Sequence, residues 1–131
     1  MILLDTHIWL NWILLGRDAL KPLIASAIED ADRVVISFIS CFEVTLLVKN
    51  RKLELPLSTD EWIREALGQS GVECLSITCS IAQRSVGLTD IHRDPADRII
   101  IATTLEHGAQ LASYDMAFPS YPELSGYLLT G

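Results

Sequence analysis

Short apolar runs along this chain alternate with longer stretches in which apolar residues recur every three or four positions. The short runs are typical of strands buried on both faces of a sheet, and the longer stretches are typical of helices with one apolar face. Residues 2–4 form the first short run, and Ile8, Trp9 and Ile13 follow it at helical spacing. The pattern as a whole predicts strands at residues 2–4, 33–37, 72–77 and 109–113 and helices at residues 6–15, 18–31, 40–52, 59–69, 78–87 and 95–107.

Residues that favour helix ends support two of these helices. Ser40 is followed three positions later by Glu43, which matches a capping box at the start of the helix predicted at 40–52. Asp94 stands directly before Pro95, a pair typical of an N-cap and a first helical residue, so we expect Asp94 to begin the last helix. Arg98 lies one turn after Asp94, and the spacing favours an ion pair between them over a contact with a substrate phosphate.

The order of the elements predicts an α/β fold. Strands that alternate with helices form a parallel sheet covered by helices on both faces, here with four to five strands. A chain of 131 residues, half of them apolar, fits one domain over residues 1–131 with a substantial core. After Asp115 we expect a loop that continues as far as the apolar residues 126–129.

The net charge of −7 limits how the chain can bind nucleic acid. An acidic protein with a sequence pI near 4.8 has no long-range attraction for a phosphate backbone. If the substrate is RNA or DNA, bound cations or local basic residues must provide the contact.

The cysteines and the apolar stretches exclude several classes of protein. Cys41, Cys74 and Cys79 are odd in number and form no CxxC pair, which argues against a disulfide framework and a zinc site. No stretch reaches the roughly 18 to 20 apolar residues of a membrane span, and the first ten residues carry Asp5 and no basic leader. We therefore expect a cytoplasmic protein that does not enter the membrane.

Four acidic residues are predicted to meet at one edge of the sheet. Asp5 and Asp115 each follow a strand, at the edge of a parallel sheet where ligands bind. Glu43 and Asp97 each lie in the predicted first turn of a helix that starts from the same edge. Four carboxylates would repel one another, and a hard divalent cation such as Mg²⁺ or Mn²⁺ removes that repulsion. Such a site can activate a water and stabilise a phosphodiester under attack.

Each acid also has a structural explanation of its own. Asp5 and Asp115 suit the turns that end strands, Glu43 suits a capping box, and Asp97 suits the positive end of a helix dipole. Asp94 is explained fully by the helix cap. No single acid therefore decides between a structural and a functional role.

Three segments in this order resemble one family. They are "LLDTHIWL" at the start, "SFISCFEVTLLVKNRKLELP" near the middle and "HRDPADRIIIATTLEHGAQLASYD" late in the chain. Together they look like the PIN-domain family, and most like its bacterial branch of VapC toxins. The resemblance implies a Mg²⁺- or Mn²⁺-dependent endoribonuclease, the toxin of a toxin–antitoxin pair, with RNA as its substrate. It also implies a cognate antitoxin that blocks the site, and a homodimer.

The resemblance also assigns residues. The family's four catalytic and metal-binding acids match Asp5, Glu43, Asp97 and Asp115. Thr6 and Ser113 match small hydroxyl residues beside the first and fourth acids, where they either orient a water at the metal or make ordinary hydrogen bonds at a strand end. The chain departs from the commoner pattern at Ala96 and Thr104, and neither change affects an acid.

Two other functions compete with this one. A PIN-like module that binds RNA or protein without catalysis would have the same fold, but loss of an acid would be its sign and all four are present. A phosphatase with an aspartyl nucleophile would also begin with a strand and an aspartate. That pattern requires an acid where His7 stands and a late lysine, and no lysine follows Lys52. The spacing of His7, His92 and His107 matches no metal site, so we assign them no role.

Overall fold

Five strands form one parallel sheet in a computed structural model that describes residues 1–131. The strands, in chain order, are β1 Ile2–Leu4, β2 Val34–Ser37, β3 Val72–Leu75, β4 Gln110–Ala112 and β5 Leu128–Leu129. Their order across the sheet is β3-β2-β1-β4-β5, and every neighbouring pair is parallel. The predicted parallel sheet is therefore confirmed, and its fifth strand lies in the apolar end of the tail.

Six α-helices connect or flank the strands. They are α1 Thr6–Leu15, α2 Pro22–Asp30, α3 Phe38–Lys49, α4 Thr59–Arg64, α5 Cys79–Gly87 and α6 Pro95–His107. The helix predicted at 18–31 was wrong in its first turn, because residues 17–19 form a short 3₁₀ helix and the chain is extended at Leu20 and Lys21. Pro22 then occupies the first helical position, where proline is well tolerated. The helix predicted at 59–69 continues from α4 into a π-helical segment, Glu65–Gln69.

The start of α3 also differs from the prediction. Strand β2 runs into α3 without a loop, and Ser37 is the N-cap, its hydroxyl accepting a hydrogen bond from the Ile39 amide at 3.2 Å. The capping box assigned to Ser40 and Glu43 is therefore wrong, since Ser40 is a buried residue inside the helix. Because β2 ends at Ser37, where the chain turns into α3, β3 has no strand partner beyond Leu75, the residue that pairs with Ser37. Strand β3 therefore ends at Leu75 and not at residue 77 as predicted.

Apolar residues cover both faces of the sheet, as the fold class requires. On β1, Ile2 and Leu4 point to one face and Leu3 to the other, because side chains alternate along a strand. The first face packs against α1, α2 and α4, where the indole rings of Trp9 and Trp62 lie 5.0 Å apart. The second face packs against α6 and residues 118–124. No helix in the structure is long and apolar enough to cross a membrane.

The strand order positions the site. From the central strand β1 the chain passes to β2 and β3 on one side, then crosses over to β4 and β5 on the other. The connections on either side of β1 therefore diverge at its carboxyl end, and a cleft forms there in folds of this type. Asp5 follows β1 at that edge, and Ser113 follows β4 beside it.

Candidate metal centre

Asp5 is the most deeply buried of the four acids, with 3% of its surface exposed. It is the N-cap of α1, and its Oδ1 accepts a hydrogen bond from the Thr6 amide at 2.8 Å. Its Oδ2 accepts a second bond from the hydroxyl of Ser113, which follows the neighbouring strand, at 2.6 Å. Nδ1 of His7 lies 3.5 Å from the same oxygen. These contacts hold the carboxylate in one orientation at the end of β1.

Glu43 is held by a line of hydroxyl groups. The Thr6 hydroxyl donates to Glu43 Oε1 at 2.5 Å, and the Ser40 hydroxyl lies 2.8 Å from Thr6 Oγ1. Because the proton of Thr6 is used toward Glu43, Ser40 must donate to Thr6. Because α3 begins at Phe38, Glu43 lies in its second turn, one turn after Ser40, and not in the first turn as predicted. The three residues connect the start of α1 to α3.

Asp97 and Asp115 form a second group with His92. One ligand atom from each of these three side chains lies within 4.8 Å of the others. Asp115 accepts a hydrogen bond from the Ala117 amide at 2.8 Å, and its own amide donates to Ser113 Oγ at 3.0 Å. Ser113 thus contacts both Asp115 and Asp5. It therefore links the group of His92, Asp97 and Asp115 to the neighbouring pair Asp5 and Glu43.

The neighbouring carboxylates Asp94 and Asp97 have different positions. Asp94 is the N-cap of α6, and its Oδ1 accepts a hydrogen bond from the Ala96 amide at 2.9 Å. Asp97, in the first turn of the same helix, points into the group that contains Asp115. The structure confirms that Asp94 caps α6. It also places Asp97 beside Asp115 at the sheet edge.

Burial is the main cause of the raised pKa values of Asp5, Glu43 and Asp97, and the negative charges of neighbouring acids add to it. Burial raises the pKa of Asp97 to about 8, with further contributions from the negative charges of Asp5, Asp94, Asp115 and Glu43. Burial also raises the pKa of Glu43, with help from Asp5 and Asp94. Burial raises the pKa of Asp5, opposed chiefly by His7. All four predicted acids are therefore close enough to interact electrostatically.

The donor set suits a hard divalent cation. No lysine or arginine side chain pairs with any of the four carboxylates, so their charge is not compensated by the protein's own fixed cations. Carboxylate oxygens are the ligands that such cations prefer, and a cation among them offsets the repulsion that raises the pKa values. The acids that can hold it come from residues 5, 43, 97 and 115.

The two hydroxyl residues singled out in the sequence both bind the acids directly. Thr6 donates to Glu43 and Ser113 donates to Asp5. The bond from Ser113 to Asp5 joins the ends of two neighbouring strands, as one of the two roles considered for it expects, and both contacts orient carboxylates. The support that Ser40 gives to Glu43 through Thr6 was missed from the sequence, because the spacing of Ser40 from Glu43 had suggested a helix cap. Its three-residue separation from Glu43 also places the two on one helix face, which was the available signal.

His92 and Arg98 also differ from expectation. His92 was assigned no role because histidine spacing along the chain matched no metal motif, yet it lies 3.5 Å from Asp97 through its Nε2 atom. The predicted ion pair of Arg98 with Asp94 was wrong. The Arg98 guanidinium instead donates to backbone carbonyl oxygens in the segment before α6, namely those of Ser85, Val86, Leu88, Thr89 and His92.

Comparisons with known proteins agree with this architecture. The family model described as "PIN domain" matches residues 2–124. The chain is 32% identical over 121 residues to "Ribonuclease VapC22" of Mycobacterium tuberculosis, covering 92% of this chain and 91% of that protein.

Solved structures share the fold. A toxin–antitoxin complex from Klebsiella pneumoniae contains a chain with TM-score 0.64 and 24% identity, covering 99% of this chain and 97% of that one. The crystal structure of VapBC2 from Rickettsia felis, bound to a DNA fragment from its promoter, contains a chain with TM-score 0.70 and 17% identity. The match covers 98% of this chain and 98% of that one. The family model and the curated relative together carry the assignment: this chain belongs to the PIN-domain family, in its VapC branch.

Proposed function

We propose that this protein is a Mg²⁺- or Mn²⁺-dependent endoribonuclease and the toxin of a toxin–antitoxin pair. The observation that carries the proposal is the meeting of acids from residues 5, 43, 97 and 115 at one sheet edge, in a chain whose curated relative is named a ribonuclease. Asp5, Glu43, Asp97 and Asp115 are the proposed metal-binding and catalytic residues. RNA is the proposed substrate.

The protein's own residues prepare this site in two ways. Ser113 and the Thr6 amide hold Asp5, and the Ser40 and Thr6 hydroxyls hold Glu43, so these carboxylates need little rearrangement to bind a cation. The pKa of Asp97, raised to about 8, means that this carboxyl holds a proton at neutral pH, which it would give up on binding a cation. When bound, the ion supplies the charge that activates a water and stabilises a phosphodiester under attack.

Cleavage of RNA should depend on the divalent ion. We expect the purified protein to cut a structured RNA in Mn²⁺ or Mg²⁺, to stop in excess chelator, and to resume when the ion is restored in excess. Gel analysis of end-labelled RNA measures this directly. Cleavage that persists in chelator would contradict the proposed chemistry, and RNA binding without cleavage under every ion condition would favour the non-catalytic module.

The antitoxin is proposed to cover an apolar stripe on α3. Phe38, Phe42 and Leu46 are 49%, 60% and 43% exposed, and their spacing of four residues aligns them on one helix face. Phe42 is adjacent to Glu43, so a chain lying on this stripe would border the acids. The net charge of −7 favours a partner segment with basic residues that reach into the site. Toxin–antitoxin complexes among the similar structures support such a partner.

Changing Phe42 to aspartate should separate antitoxin binding from catalysis. We expect Phe42→Asp to weaken binding of the proposed cognate antitoxin by about a hundredfold, since a central apolar contact is replaced by a buried charge. RNA cleavage should stay within about threefold of the unchanged protein. Isothermal titration calorimetry and the cleavage assay measure the two effects.

Val86→Asp is the matched control, because Val86 is 80% exposed on α5 and lies outside the proposed stripe. Equal weakening by both variants would show that antitoxin binding does not depend on the apolar stripe of α3.

The proposal also includes a homodimer. Analytical ultracentrifugation should then give twice the chain mass of 14.5 kDa.

A further inference from the structure

The backbone of His92 is held from two sides. Its carbonyl oxygen accepts hydrogen bonds from Arg98 Nη1 and from the Tyr121 hydroxyl, both at 3.3 Å. Its amide lies 3.4 Å from the same tyrosine oxygen. Residues from α6 and from the segment after β4 therefore place His92 at a defined position beside the acids.

The imidazole ring is held as well. It stacks on Phe118, with ring centroids 6.3 Å apart and planes 9° apart, and it meets Tyr121 edge to face at 5.9 Å. Nδ1 accepts a hydrogen bond from the Asp94 amide at 3.2 Å. Since the lone pair of Nδ1 is used, the neutral ring carries its proton on Nε2.

This Nε2 atom points at the acidic group without a completed hydrogen bond. It is buried, has no hydrogen-bond partner, and lies 3.5 Å from Asp97 Oδ2. Asp115 contributes the third member of the same group. A buried donor normally has a partner, so this one indicates an interaction that a small rotation of the Asp97 carboxylate would complete.

We propose that His92 is a positioning residue for Asp97. Its Nε2–H group donates to one carboxylate oxygen of Asp97 and turns the other toward the cation. The inference rests on the function proposed above, because it assumes that Asp97 binds a metal ion. Direct binding of the metal by Nε2 does not suit the ring, since a free lone pair there would put the ring proton on Nδ1, facing the Asp94 amide hydrogen.

Two neutral substitutions test this role against mere packing. In His92→Gln the amide nitrogen can reach the position of Nε2 and donate to Asp97. In His92→Asn the shorter amide can reach the Asp94 amide but not Asp97. Both variants lose the aromatic contacts with Phe118 and Tyr121, so a purely structural role predicts equal effects.

Mn²⁺ binding measured by calorimetry is the main readout. We expect His92→Asn to raise the dissociation constant about tenfold and His92→Gln to raise it less than threefold. At saturating Mn²⁺ the KM for RNA should be unchanged in both. His107→Gln, at the exposed far end of α6, is the control and should bind Mn²⁺ as the unchanged protein does. Thermal unfolding followed by circular dichroism shows that each variant is folded.

The possible outcomes separate the inference from the proposed function. Equal Mn²⁺ affinity in the two His92 variants would overturn the positioning role, whether both match the unchanged protein or both are weakened. A directly coordinated nitrogen in the electron spin-echo spectrum of bound Mn²⁺ would overturn it too, because His92 would then be a ligand. If Asp97→Asn leaves Mn²⁺ binding unchanged, the proposed metal site itself fails, independently of His92.

Discussion

Asp97→Asn should lower RNA cleavage by at least about a thousandfold and, in the absence of metal, make the protein more stable at pH 8. Loss of cleavage follows from removing a proposed ligand of the proposed ion, because the charge stabilisation that such an ion provides is worth several kcal/mol. The gain in stability follows from the raised pKa of Asp97, about 8 in the folded protein against a usual 3.8. The folded state binds the proton more tightly than the unfolded state between these values, so the ionised carboxylate destabilises the fold increasingly as pH rises through this range.

The neutral asparagine removes that cost. We expect Asp97→Asn to raise the free energy of unfolding by about 2 kcal/mol at pH 8, a value reduced from the full linkage because solvent screens a half-buried site. The difference should shrink as the pH falls to about 4 and below, because the carboxyl then becomes protonated in the unfolded state as well. Urea unfolding in chelator at pH 5, 6.5 and 8 measures it.

Asp94→Asn is the matched control for this prediction. Asparagine is as good an N-cap as aspartate, so α6 should keep its stability, and cleavage should stay within about threefold of the unchanged protein. A loss of cleavage as large as that of Asp97→Asn would contradict the separation of a capping acid from a metal-binding acid. An unchanged pH dependence of stability in Asp97→Asn would contradict the raised pKa.

Arg98→Ala should destabilise the protein by roughly 3 kcal/mol or more, a drop in Tm of about 10 °C. The guanidinium donates hydrogen bonds to five carbonyl oxygens between residues 85 and 92, with distances from 2.8 to 3.3 Å. Removing it takes a charged donor away from all five carbonyls, three of them in partly buried hydrogen bonds, and hydrogen bonds from a charged donor are among the stronger ones. Thermal unfolding followed by circular dichroism gives the Tm.

Arg64→Ala is the comparison for Arg98→Ala. Arg64 is an exposed residue on α4 that pairs with Asp60 one turn away, and such surface pairs contribute between zero and about 1 kcal/mol. Its loss should therefore change the Tm by about 3 °C at most. If the two variants unfold at the same temperature, the Arg98 contacts do not organise the segment before α6.

Local sequence features decided most of the secondary structure. The apolar run before Asp5 forms β1, and Asp94 with Pro95 begins α6, because a strand and a helix cap are specified by residues only a few positions apart. The same approach failed where two local signals competed. Ser37 and Ser40 both suit a helix start, and the direct passage from β2 into α3 selected Ser37.

Parallel topology allowed the four acids to be predicted together as well. Carboxyl ends of parallel strands share one edge, so residues after β1 and β4 had to approach each other once the fold class was recognised. The predicted starts of two helices placed Glu43 and Asp97 at the same edge, and the family resemblance then matched all four acids to catalytic positions.

The side-chain partners were decided by the tertiary structure alone. The Ser40–Thr6–Glu43 line, the approach of His92 to Asp97, and the turn of Arg98 away from Asp94 toward backbone carbonyls join residues on different elements or in an irregular segment. Periodicity and capping report how a residue relates to its neighbours within about one helical turn. The orientation of one packed element against another sets these longer contacts, and it depends on the whole core rather than on any short stretch of sequence.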